Sequence, residues 1–238
     1  MNNKNQAIGL RELKKQAEKI GIITQGMGRG SILKEMEKKT SGNSSAKVFK
    51  EGEVLGIKGK DGSVTEVTVR RKTYAKKQFR TNRPIKEILR EVKLQSLGAA
   101  ARISPKIREY NLNSKYILMD KLETNLFCIL RKKNGKLTKN LQKEILRLFR
   151  ILDRIGVFHK DPNPLNFMLD ENKQLYIIDY GFAEHINEKK HGKSPNINQM
   201  TLGFLIKMKK LFPEGKYDVL RNSLAPRLLE ILEMQTRS

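Results

Sequence analysis

The segment GVFHKDPNPLNFMLDENKQLYIIDYGFAEHI, which starts at Gly156, constrains this chain more than any other stretch. It sets His159 two positions before Asp161, Asn166 five after that aspartate, and Asp179-Tyr180-Gly181 thirteen after the asparagine. With each residue type at about one in twenty, chance agreement at all these spacings is on the order of 10⁻⁴ for the whole chain. LNFML and LYIID flank a polar turn and read as a hairpin, whose pairing would carry Asn166 and Asp179 to one end. Carboxylate and amide oxygens gathered there suit a Mg²⁺-bound nucleotide. A separate carboxylate suits an attacking hydroxyl, so the set meets the needs of phosphoryl transfer. Acidic turn residues between ordinary strands are the plainer alternative.

At 238 residues the chain is long enough for one bilobal domain or two small ones. Lys and Arg number 49 against 25 Asp and Glu, a net charge of +24, while 38% of residues are hydrophobic. A core can form, and the cationic surface around it attracts phosphate-bearing partners, nucleic acid among them. The densest run, Arg70 to Lys93, holds ten basic residues against Glu87 and Glu91, and much of it reads as a solvated helix face. With 6% aromatics and no Trp, a base-stacking platform is poorly supplied. Cys128 is the single cysteine, which excludes an internal disulfide; within LFCIL it reads as packing. His185 and His191 lack ligand spacing, which argues against a metal site of their own. The start MNNKNQAIGL lacks an apolar signal core, and no apolar cluster nears the ~20 residues that span a bilayer. The expectation is an intracellular protein, cytoplasmic or nuclear, with no membrane partner.

Three regions emerge along the chain. Residues 1–45 form a basic helical element and linker, with Leu10, Leu13, Ala17 and Ile20 on one helix and Ser31 capping a second that carries Ile32, Leu33 and Met36. This part resembles the helix-extended-helix module of SAP-type DNA-binding domains, which implies phosphate contacts. Residues 46–122 change to strand texture, VFKEGEVLG, SVTEVTVRRK and TYAKKQF, followed by a helix from Pro84 to Leu97 and the strand KYILMDKL. Residues 123–238 read as helical: a long helix from Thr138 to Gly156 places Leu141, Ile145, Leu148, Leu152 and Ile155 on one face, and scattered leucines close the chain.

With these parts in order, the chain resembles the protein kinases. The resemblance covers roughly residues 48–212, and the overall texture is similar to compact kinase-like proteins of large DNA viruses. It implies an α+β, bilobal protein-kinase-like fold with a truncated helical C-lobe, using ATP and Mg²⁺ on a protein substrate of Ser/Thr type. By that resemblance Asp161 is the catalytic base, Asn166 and Asp179 are the metal ligands, and His159 is a packed scaffold residue. Lys77 grips the nucleotide phosphates and Glu91 holds it, with Glu87 one turn earlier as competitor. Gly56, Gly59, Gly62 and Val64 resemble the glycine-rich loop, although a plain hairpin turn at Asp61-Gly62 stays open. Met119 lines the back of an adenine pocket whose edge the backbone of Asp120 and Leu122 would meet.

The sequence departs from the family pattern at several points. Asn163 stands where most such kinases carry a lysine that touches the transferred phosphate, a change expected to slow chemistry. Asn198 replaces the aspartate that braces the catalytic loop, and no Ala-Pro-Glu segment follows Gly181. Two other readings therefore stand beside the protein kinase. One is a weak or inactive kinase-shaped scaffold that binds nucleic acid or acidic partners through its basic surface and amino-terminal helices. The other is a small-molecule kinase. Nothing in the pattern assigns an oligomeric state, and location in a host cell or virion rests on the viral likeness alone.

Overall fold

The structure, a computed structural model, describes residues 10–19, 22, 24–40, 50–55, 62–212, 216–226 and 228. Helices α1 (Leu10–Lys19) and α2 (Arg29–Thr40) close on a small core of Ala17, Ile22 and Ile32. Both expected helices form, but α2 begins two residues ahead of Ser31, and Leu10 and Leu33 are exposed. The side chains of Leu13, Ile20 and Met36, and most of the expected linker, lie outside the described residues.

Five antiparallel strands make the first sheet, in the order β1-β2-β3-β5-β4: β1 (Lys50–Val54), β2 (Gly62–Val69), β3 (Lys72–Phe79), β4 (Ile107–Asn111) and β5 (Tyr116–Asp120). Strand β4 has no strong alternation and escapes a reading from pattern. The β2–β3 connection is a two-residue turn of Arg70 and Arg71 at φ 48° and 66°, where the usual Asn-Gly signal is missing. Helix α3 (Ile85–Ala100) covers one sheet face. Its residues Ile88, Glu91, Val92 and Gln95, at helical spacing, are buried, and Ile88 and Val92 pack with Ala75, Phe79, Ile117 and Met119.

The helical part begins with β6 (Thr124–Asn125) and α4 (Leu126–Lys132). Leu126 and Leu130 point inward, and Cys128, half a turn round the helix, is exposed, so the packing expected of it does not occur. Helix α5 (Lys139–Arg154) is capped by Thr138, whose hydroxyl accepts from Leu141 N, and buries Ile145, Leu148, Phe149 and Leu152. Then come β7 (Val157–Phe158), β8 (Phe167–Leu169), β9 (Leu175–Ile177), β10 (Glu184–His185), α6 (Glu188–His191), α7 (Thr201–Leu211) and α8 (Lys216–Ser223). Phe167 sits edge-on to Phe149 and Phe204, with centroids 5.9 and 5.3 Å away, and its full burial contributes about 1.5–3 kcal/mol. Gln142 of α5 fastens the end of α8: its amide donates to Leu137 O and Ser223 O and accepts from Ala225 N, while Leu224 and Leu228 enter the core. Among the described residues no helix is long and apolar enough to cross a membrane.

Candidate active site

Alternation along β3 buries Ala75, Lys77 and Phe79 on the face that α3 covers. Lys77 therefore carries its charge to an apolar face and needs partners there. Its Nζ lies 2.5 Å from Glu91 Oε1 and 2.8 Å from Asp179 Oδ1. Burial opposes the ammonium, but the two carboxylates outweigh it and hold Lys77 above the usual lysine value. For Asp179 burial pulls upward, yet Lys77 prevails and the carboxyl sits below its ordinary range. Burial pushes the Glu91 carboxyl up against the pull of Lys77, and the contact to a protonated lysine marks the pair as ionic. Glu87 pairs instead with Arg83 at 3.5 Å. Arg83 is itself buried, 5.7 Å over the Phe79 ring and 3.7 Å from Glu91 Oε2. The basic run thus contributes two buried cations, Lys77 and Arg83, to this cluster and is not purely a solvated face.

The hairpin β8–β9 pairs Phe167 with Ile177, and Ile178 N donates to Asn166 O at 2.9 Å, so Asn166 and Asp179 emerge at the same end. Asp179 and Lys160 are left-handed at φ 65° and 66°, a conformation that costs non-glycine residues roughly 1–3 kcal/mol and concentrates at functional sites. Asp161 accepts from Asn166 Nδ2 at 2.9 Å through Oδ2, and from Asn163 N and Lys207 Nζ at 3.2 and 2.8 Å through Oδ1. Asn163 is a turn-former here: its side-chain oxygen accepts from Leu165 N and caps a 3-10 turn over Pro164–Asn166. His159 is fully buried, with Nε2 3.0 Å from Ile178 O and its ring edge-on to Tyr180 at 4.9 Å. Burial lowers its pKa despite Asp179 and Asp161 nearby, and a ring nitrogen facing a carbonyl must be the protonated one of a neutral imidazole.

The brace beneath this loop is Asn196, not Asn198. Asn196 Oδ1 accepts from His159 N, while its Nδ2 donates to Asp153 Oδ1 at 2.7 Å and Val157 O at 2.8 Å. Asn198 is exposed and donates to Lys193 O. A π-helical turn over Asn196–Met200, which a sequence pattern does not signal, sets Asn196 inward ahead of α7. Tyr180 and Ser104 share a short hydroxyl hydrogen bond, and Gly98 of α3 makes room for it: a Cβ there would lie 2.4 Å from Tyr180 Oη.

On the strands expected to flank a nucleotide, Val64 pairs in register with Lys77, and Gly62 with Phe79. Gly62 is the first residue of β2 at φ 154°, and a Cβ on it would meet Gln78 O at 2.0 Å, so strand contact requires this glycine. Gly56 and Gly59 lie outside the described residues. Met119 is buried opposite Ala75 and takes a contact from Gln95 Nε2 at 3.4 Å. Asp120 N is committed to Lys106 O, and its carboxylate to Arg108 at 2.6 and 2.9 Å, which narrows the expected adenine contacts to the Asp120 carbonyl and Leu122. One carboxylate and one amide fit Mg²⁺, which takes few protein ligands and completes its shell with phosphates and water. Asp179 is 39% exposed, and with Asn166 Nδ2 turned to Asp161 the amide oxygen is the atom left for a cation.

Lys207, Asn196, Arg83 and Gln95 are the site residues that sequence reasoning missed. Lys207 had a faint signal: it follows Gly203 by one helical turn, and a Cβ at Gly203 would lie 2.6 Å from Pro162 Cγ.

A family model described as the protein kinase domain matches residues 49–205. Mitogen-activated protein kinase 1 of Oryza sativa is 30% identical over 112 residues, 46% of this chain and 28% of the rice protein. A probable serine/threonine-protein kinase of fowlpox virus is 34% identical over 82 residues, 33% of this chain and 28% of the viral protein. A probable serine/threonine-protein kinase of Archaeoglobus fulgidus, described as a BUD32 homolog, is 25% identical over 127 residues, covering 51% of this chain and 63% of the archaeal one. The chain spans less than two thirds of the length of each of these relatives.

Proposed function

The chain belongs to the protein kinase family, and from that premise we propose that it transfers the γ-phosphoryl group of ATP to a serine or threonine hydroxyl of a protein. The carrying observation is Lys77 bridging Glu91 and Asp179 at 2.5 and 2.8 Å, with Asp161 hydrogen-bonded to Asn166. In this reading residues 46–122 carry the nucleotide side and 123–238 the acceptor side. Lys77 holds the nucleotide phosphates, positioned and kept protonated by Glu91. Asp161 orients the acceptor hydroxyl and takes its proton. Asn166 and Asp179 hold Mg²⁺, which when bound neutralises charge on the phosphates. His159, buried and neutral, positions the loop and takes no part in proton transfer.

The test is phosphate incorporation from labelled ATP with Mg²⁺, into the protein itself or a basic or acidic test protein. Asp161→Asn should abolish it, and equal incorporation in that variant rejects Asp161 as the base. The net charge of +24 favours a second role, recruitment to nucleic acid or acidic partners. DNA affinity that falls steeply with salt and survives Asp161→Asn supports it; affinity unmoved by salt rejects it.

A further inference from the structure

Among the described residues, the loop around Asp161 places no cation of its own on that carboxylate. Lys160, next in sequence, turns to Glu184 Oε1 at 3.2 Å, and Asn163 is neutral and spends its side chain on the cap at Leu165 N. The charge that reaches the carboxylate comes from elsewhere: Lys207 of α7, with Nζ 2.8 Å from Asp161 Oδ1. Two features of α7 make this possible. Gly203 lets the helix lie against Pro162, where any side chain would collide, and Lys207 sits one turn further on, on the same face. Lys207 is 41% exposed, so its ammonium has donors and freedom to spare beyond the one contact to Asp161.

We propose that Lys207 is the cation that contacts the transferred γ-phosphoryl group, a helix-borne replacement for the charge that Asn163 does not supply. This rests on the reading of the chain as an active kinase. In the transfer, the acceptor O–H proton goes to Asp161, the acceptor oxygen bonds to the γ-phosphorus, and the bond from that phosphorus to the bridging oxygen breaks, its electron pair leaving with ADP. An acceptor hydroxyl within hydrogen-bond reach of Asp161 lies between the carboxylate and the phosphorus. An ammonium on that same carboxylate is then one side-chain rotation from the phosphoryl oxygens, where developing charge needs a fixed donor.

The test uses Lys207→Met, which keeps the aliphatic stem and removes the charge, in the full chain, with thermal melting as the check on folding. Transfer should fall about 10²-fold in kcat. By titration calorimetry with Mg²⁺, affinity for an ATP analogue with a non-transferable γ group should fall about fivefold, a loss of roughly 1 kcal/mol, while ADP affinity stays unchanged. Adding Asn163→Lys to Lys207→Met should recover about tenfold of the lost rate, since the charge returns from the loop side. Three results overturn the proposal: kcat within about twofold of the parent while Asp161→Asn is inactive; equal losses for the ATP analogue and ADP; or a faster enzyme, which makes the pair a mask on the base. Activity that persists in Asp161→Asn overturns the underlying reading instead, so the two failures are distinct.

Discussion

Asp179 and Asp161 each hold a lysine at 2.8 Å, yet Lys77 is 10% exposed and Lys207 is 41% exposed. The first pair is shared with Glu91, whose side chain is 1% exposed, and it is built into the packing between β3 and α3. The second reaches in from a helix surface. Burial makes the first set of charges interdependent, because removing one leaves another unpaired in a medium that solvates it poorly. Exposure leaves the second pair worth about 0–1 kcal/mol to folding, so its lysine can change partner at little cost. On the proposed reading, one site therefore combines a fixed cation for positioning and an exchangeable one for chemistry.

The comparison breaks hardest at Lys77. Lys77→Met should cost transfer about 10²-fold or more. It should also destabilise the fold by about 3 kcal/mol, the low end for breaking a buried pair, because Arg83 at 3.7 Å still faces Glu91. Urea unfolding of the variant checks the second figure. A loss below ~1 kcal/mol would mean that the buried cluster is no more interdependent than the exposed pair.

What the sequence made legible follows from how local each signal is. Lys77 and Glu91 lie on a strand and a helix whose periodicities point inward, and Asn166 and Asp179 are joined by one hairpin, so order and spacing suffice. Lys207 arrives at Asp161 only through the packing of α7 on Pro162, a contact between residues far apart in the chain. The shift from Asn198 to Asn196 has the same origin, since a π turn changes which asparagine faces inward. The Arg70-Arg71 turn was hidden because neither residue favours φ above zero, and Cys128 was misjudged because LFCIL is an amphipathic helix and not a fully buried run.

A smaller effect tests whether the second pair depends on close helix approach. Gly203→Ala places a methyl 2.6 Å from Pro162 Cγ, an overpacking that should cost about 1–3 kcal/mol and lift Lys207 away from Asp161. Calorimetric unfolding and the transfer assay should both register it. An unchanged melting temperature with full activity would show that α7 can shift freely.

Acidification separates the buried histidine from the exposed charges. Burial lowers the folded-state pKa of His159 below its unfolded value of about 6.5, so the unfolded chain binds the proton more readily. Stability contributed by neutral His159 is thus complete above that value and is lost as pH falls below it, at no more than about 1.4 kcal/mol per pH unit. Urea midpoints at pH 7.5 and 5.5 should fall less in His159→Gln than in the parent. Equal falls would assign the acid sensitivity to other groups.

The smallest effect belongs to Arg108 and Asp120, a bidentate pair at 2.6 and 2.9 Å that lies beside the strand expected to meet adenine. At 44% and 35% exposure, solvent screens most of the attraction, although hydrogen bonding to Asp120 raises the Arg108 pKa. Arg108→Ala should therefore change stability by no more than about 0.5 kcal/mol, and less in high salt. ATP affinity should change less than twofold, because the backbone of Asp120 is also held by Lys106 O, independently of its side chain. A tenfold loss of ATP affinity in this variant would show that the carboxylate pair, and not the backbone bond, sets the shape of the adenine edge.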